Sequence, residues 1–171
     1  MNWRIIGESL NSADQALYEG SDLAIDIYRS ILTEQPVKDR QMQHYVFRRL
    51  ALGYTAVGAH KEARQSFNSA FELSRTNNDF SRVFYDRGRS YMDRSLFMEA
   101  REQFRMALEA HEQENVDPSI LQLIEERIGE CEEAMAANDE WQIPVADRPG
   151  QSTSEILVEW EERSQNTAAN E

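Results

Sequence analysis

The chain has 171 residues, enough for one domain with a real core, and its four Pro and seven Gly leave room for long uninterrupted elements. A formal net charge of −13 argues against nucleic-acid binding by the surface as a whole. Glu outnumbers Asp by 21 to 10, as suits helices, and basic charge rests on 16 Arg against two Lys, Lys38 and Lys61, so the usual cation is a flat, two-pronged donor fitted to carboxylates.

The N-terminal run Met1-Asn2-Trp3-Arg4-Ile5-Ile6-Gly7-Glu8 lacks the apolar stretch of a secretory signal. No stretch approaches the ~20 apolar residues that cross a bilayer. The longest uncharged run, residues 50–59, is about half that length. Cys131, the single cysteine, has no partner for an internal disulfide. The expectation is a cytoplasmic protein without membrane insertion.

In chain order, the stripe Trp3, Ile6, Leu10, Ala13 and Leu17 predicts a first helix, and Ala24, Tyr28 and Ile31, ahead of Pro36, predict a second, with Gly20 between them. Phe47, Leu50, Ala51 and Tyr54 stand at i, i+3, i+4 and i+7, one face of a third helix. Gly58 follows, where a helix end wants a residue free to take positive φ. Ala63, Phe67, Ala70 and Phe71 then share a face of a fourth helix.

A shift of 37 residues repeats this unit: Phe47 falls on Phe84, Tyr54 on Tyr91, Ala63 on Ala100, Phe67 on Phe104 and Ala70 on Ala107. Glu62-Ala63-Arg64 falls likewise on Glu99-Ala100-Arg101. A small Ala near a large aromatic lets two antiparallel helices approach closely. Downstream, Asp117-Pro118 is a strong helix start, and Ile120 or Leu121, Ile124, Ile128, Cys131 and Met135 mark one face of a capping helix whose other face is Glu-rich.

An aromatic, a small residue and a Tyr on one helix, then Ala-x-x-x-Phe-x-x-Ala on the next, resembles the tetratricopeptide repeat. Residues 81–111 match best, with Gly88, Tyr91, Phe97, Ala100, Phe104 and Ala107 in place; residues 44–75 carry Ala51 where the family usually has Gly. The spacing of 37 exceeds the family's usual ~34, and Thr76-Asn77-Asn78-Asp79 reads as an extended linker, as in longer-looped members that bind peptides and protein segments. The resemblance covers residues 3–137 and is strongest over 44–111. It implies an all-α fold: an α-solenoid of about three helical hairpins plus a capping helix, in a repeat domain of residues 1–137. Residues 138–171 read as an acidic linker and a short amphipathic helix or tail.

No residue set suggests catalysis. His44, His60 and His111 are scattered and read as exposed or half-buried; Cys131 lies on an apolar stripe with no His at helical spacing; Glu pairs such as Glu125-Glu126 point apart; and no Gly-rich phosphate loop exists. The expectation is a non-enzyme with no cofactor and no metal site.

The informative feature is a basic stripe in an acidic protein. In the family the first helix of each repeat lines the concave surface. Beside the core face of those helices run Tyr45, Arg48, Arg49 and Leu52 in one copy and Arg82, Tyr85, Arg89 and Met92 in the next, a surface fitted to carboxylates and stacked side chains. The alternative is that these Arg pair with acids of neighbouring helices, for instance Asp86. The Lys/Asn/Asn/Lys/Arg clamp by which some family members hold chaperone tails is not matched, since Leu52 and Asp86 stand where it needs Asn.

The resemblance therefore implies a module that binds a linear, acidic protein segment, an adaptor or scaffold. A small assembly or secretion chaperone shielding an apolar client and a self-assembling structural subunit stay open. Trp141, Ile156, Leu157 and Trp160, rimmed by Glu155, Glu159, Glu161 and Glu162, form a candidate tail anchor for docking in cis or for self-association.

Overall fold

The computed structural model describes residues 3–33, 39–112 and 118–137, and regular structure among them is entirely α-helical. The helices are α1 (Trp3–Tyr18), α2 (Leu23–Thr33), α3 (Arg40–Ala56), α4 (His60–Leu73), α5 (Asn77–Met92), α6 (Phe97–Glu112) and α7 (Pro118–Ala137). None among the described residues is long and apolar enough to cross a membrane. The chain divides into Met1–Glu133 and Ala134–Glu171.

Helix boundaries follow from backbone groups that must find partners. Asp39 caps α3 by accepting the Met42 N–H at 2.8 Å, and the Thr76 hydroxyl caps α5 by accepting the Asp79 N–H at 3.1 Å. Thr76-Asn77-Asn78-Asp79 is thus no extended linker. It is a capped helix start, because the Thr76 and Asp79 side chains take up N–H groups that would otherwise be orphaned.

The three hairpin turns end alike. Gly20 (φ 70°), Gly58 (φ 76°) and Ser95 (φ 58°) are left-handed. After α3, the N–H of Gly58 reaches the Thr55 carbonyl at 3.0 Å and that of Ala59 the Tyr54 carbonyl at 2.8 Å. After α5 the same pair recurs, Ser95 to Met92 at 2.8 Å and Leu96 to Tyr91 at 3.0 Å. Ser95 stands 37 residues after Gly58, so the second copy keeps the turn with a residue that disfavours it.

Each of α1 to α5 packs on its successor, and the odd-numbered helices also touch one another, α1 on α3 and α3 on α5. The apolar interior is three clusters in series. Ile6, Ala13, Tyr28, Ile31, Val46 and Leu50 form the first; Ala51, Leu52, Phe67, Ala70 and Val83 the second; Ala100, Phe104, Ala107, Ile124 and Cys131 the third. A fully buried side chain such as Phe104 contributes about 1.5–3 kcal/mol.

Close approach explains the small residues. A Cβ added at Gly88 would lie 2.7 Å from the Phe104 ring, so α5 and α6 meet there with no room for a methyl group. Gly88→Ala is expected to cost about 1–3 kcal/mol in chemical unfolding, since the ring is walled in and cannot shift. Ser95→Gly is expected to add ~0.5–1 kcal/mol by relieving the left-handed residue. If the two changes move the midpoint in the same direction, the turn and contact assigned to the second copy are wrong.

Candidate functional site

The Arg- and Tyr-bearing stripe separates into parts that are consumed inside the fold and parts that stay accessible. On α3, Tyr45 donates its hydroxyl hydrogen bond to Asp14 of α1, as does Tyr28 of α2. Burial and then the Asp14 bond push both phenol pKa values up. Arg49 donates to the Tyr45 hydroxyl at 3.2 Å, lies over its ring at 5.3 Å and stands 3.4 Å from Asp14. Burial works against the Arg49 charge, yet Tyr45 and Asp14 outweigh it and hold its pKa above the ordinary value. Tyr45 and Arg49 therefore tie α3 to the first hairpin.

Arg48 takes the other direction. Its guanidinium meets Asp86 of α5 at 2.6 Å through Nη2 and at 2.8 Å through Nε, with the two side chains 11% and 4% exposed. Leu52 is buried in the second cluster, so it offers no accessible apolar surface. On this helix the pairing of Arg with acids of neighbouring helices is what the structure contains.

On α5 the stripe stays open. Arg82 and Arg89 are exposed. Arg82 uses Nε on Asn78 at 3.2 Å, and the Arg89 side chain has no partner among the described residues. Tyr85 is half-buried, its ring 5.5 Å from that of Phe104. Glu130 first and Tyr85 second hold the Arg127 pKa above its ordinary value. Met92 is half-buried against the third cluster. Trp141, Ile156, Leu157 and Trp160 lie outside the described residues.

Arg48, Arg82 and Tyr85 come together around one cleft of about 140 Å³ between α3, α5, α6 and α7. Asn78 and Ser81 extend its α5 wall, and Ile120, Leu123 and Ile124 of α7 supply an apolar wall opposite. His111 also lines it. A broader depression of about 240 Å³ between α5 and α6, lined by Phe80, Phe84 and Met106 among others, carries Glu109 and no basic group.

His60 is exposed as expected, whereas the other two histidines differ from expectation. His44 and His111 are 4% and 1% exposed, because both face the inside of a hairpin. His44 Nε2 stands 3.3 Å from the Ser74 hydroxyl, and burial first, then Arg48, lower its pKa. Nearby, Arg40 binds Asp79 at 2.9 Å. Burial opposes the Asp79 charge, but Arg40 and the Arg75 N–H hold its pKa below the ordinary carboxylate value. Among the described residues no three His, Cys, Asp or Glu side chains gather as a metal site. Cys131 is buried, and burial raises its thiol pKa.

No protein-family model matches the chain, and no curated protein matches it.

The Arg48–Asp86 pair exposes itself to a direct test. Asp86→Asn leaves a largely buried guanidinium without its counter-charge and is expected to cost about 3 kcal/mol. Joint replacement by Arg48→Met and Asp86→Leu is expected to return most of it, as measured by urea unfolding of the three variants. A double variant no more stable than Asp86→Asn would show that the penalty does not come from an unpaired charge.

Proposed function

We propose that the chain is a tetratricopeptide-like α-solenoid, an adaptor rather than an enzyme, that binds a linear acidic protein segment along the face of α3 and α5. The observation that carries the reading is that Arg82 and Arg89, two turns apart on α5, are exposed and not engaged by acids among the described residues, in a chain of net charge −13. An acidic protein that keeps two guanidinium groups open on one helical face has a surface matched to carboxylates by charge and by fork geometry.

The shape of the packing supports the same reading. Hairpins in series, with contacts between α1 and α3 and between α3 and α5, align the odd helices side by side, which suits an extended ligand. The chaperone reading loses support, since Leu52 is buried and Met92 packs against the third cluster instead of standing free for a client. Arg48 and Arg49 act behind the face: they fix α3 and shape the ground on which Arg82 and Arg89 stand.

Selection of displayed random peptides on the purified chain is the test. Enrichment of Asp and Glu is expected, weakening with salt because exposed charges are screened within ~8 Å at physiological ionic strength. Arg82→Glu with Arg89→Glu is expected to abolish the enrichment while the helical circular dichroism stays as in the parent, both side chains being exposed. Selection of the same peptides by parent and double variant, or of peptides without acidic residues, would overturn the reading.

A further inference from the structure

The 37-residue shift carries Arg48 onto Tyr85 and Asp86 onto Leu123. Where charge locks α3 to α5, the seam between α5 and α7 has a phenol ring and an isobutyl group, which cannot bridge it as an ion pair does. That seam stays wider: α7 approaches α5 less closely than α5 approaches α3. Tyr85 and Leu123 both line the cleft of about 140 Å³, so the cleft involves the two positions whose counterparts close the previous seam. Its surface is almost wholly apolar, because the polar groups around it are occupied or withdrawn. Asp86 neutralises Arg48, the Ser81 hydroxyl bonds the Ala107 carbonyl at 2.8 Å, and the His111 ring nitrogens are sealed from solvent. A well-held water needs about two to four polar partners, which such walls do not supply. Arg82 is the charge that remains: it is exposed, its Nε is on Asn78 at 3.2 Å, and it meets no acid among the described residues.

We propose that this cleft seats one leucine-sized apolar side chain of the acidic segment, against Tyr85, Ile120, Leu123 and Ile124, while an acidic residue beside it in the segment meets Arg82. The proposal rests on the segment-binding reading above and names the anchor that such a segment inserts. Size agrees: about 140 Å³ is close to the ~150 Å³ of an apolar cavity that takes one benzene, room for one side chain and not for backbone. An aliphatic group displaces poorly held water and needs no polar partner, whereas a carboxylate inside the cleft would lose its hydration for nothing. Charge complementarity acts at Arg82, where a guanidinium and a carboxylate pair while both keep contact with water. The segment is therefore recognised by an apolar residue with acidic neighbours, and not by negative charge alone.

The test uses the full chain and three probe peptides, acetyl-Glu-Leu-Glu-amide, acetyl-Glu-Ala-Glu-amide and acetyl-Gln-Leu-Gln-amide, with the methyl groups of Ile120, Leu123 and Ile124 observed by NMR. The first peptide is expected to shift the methyl signals saturably. The alanine peptide should bind at least ~10-fold more weakly, having lost the buried stem. The glutamine peptide should also bind more weakly, and without the salt dependence of the first. Leu123→Gln, at a position 38% exposed, should bring the leucine peptide to the level of the alanine peptide, and Arg82→Gln should bring it to the level of the glutamine peptide. Methyl signals that do not move, leucine and alanine peptides that bind alike, or acidic and glutamine peptides that bind alike overturn the proposal; these comparisons use the parent chain and do not depend on how a variant folds. If they fail while Arg82→Glu with Arg89→Glu still abolishes acidic peptide selection, the cleft assignment alone fails. If the peptide selection fails as well, so does the binding face itself.

Discussion

The contact on which the rest of this face depends is the Arg48–Asp86 ion pair between α3 and α5. Two charges withdrawn from water are costly, and their attraction offsets that cost only when the geometry is held. Here the neighbours hold it: two guanidinium nitrogens of Arg48 converge on one Asp86 oxygen, and two turns further along α3 and one along α5 Thr55 and Ser90 share a hydrogen bond of 2.7 Å. The pair sets how far α5 is slid along α3, and with that the position of Asn78 and Arg82 beside Arg48. It also removes Arg48 from the accessible charge, so the electrostatics of the surface come from α5.

Much of the helical plan was legible because the packing that produces it repeats. Gly88 against Phe104, and Ala51 with Phe67 in the second cluster, are the same steric solution at positions 37 residues apart, and a periodic constraint leaves a periodic trace. The start of α5 was misread since Asn and Asp serve turns and helix caps equally well; only the partner of each backbone N–H decides between them.

Which arginines of the stripe are occupied was not legible. Arg48 and Arg82 have the same side chain on equivalent faces. What separates them is Asp86, which is spaced to meet Arg82 one turn away on its own helix but reaches across to α3 instead. Asp14 draws in Tyr45 and Arg49 from over thirty residues away, a choice that no local pattern records. His44 and His111 were read as exposed or half-buried, whereas their helical phase turns both inward. His44 meets the Ser74 hydroxyl, whereas His111 has no hydrogen-bond partner among the described residues.

The three apolar clusters in series have a mechanical consequence. Among the described residues α3 gives Val46 and Leu50 to one cluster and Ala51 and Leu52 to the next, and α5 joins the second cluster to the third through Val83 on one side and Phe84 and Tyr85 on the other. Each of these two helices is a shared wall, beside which Leu17 packs on the first two clusters and Phe71 meets Phe84 at 4.9 Å between the second and the third. A change that loosens α3 or α5 is therefore felt on both sides of the helix at once, in two clusters rather than one.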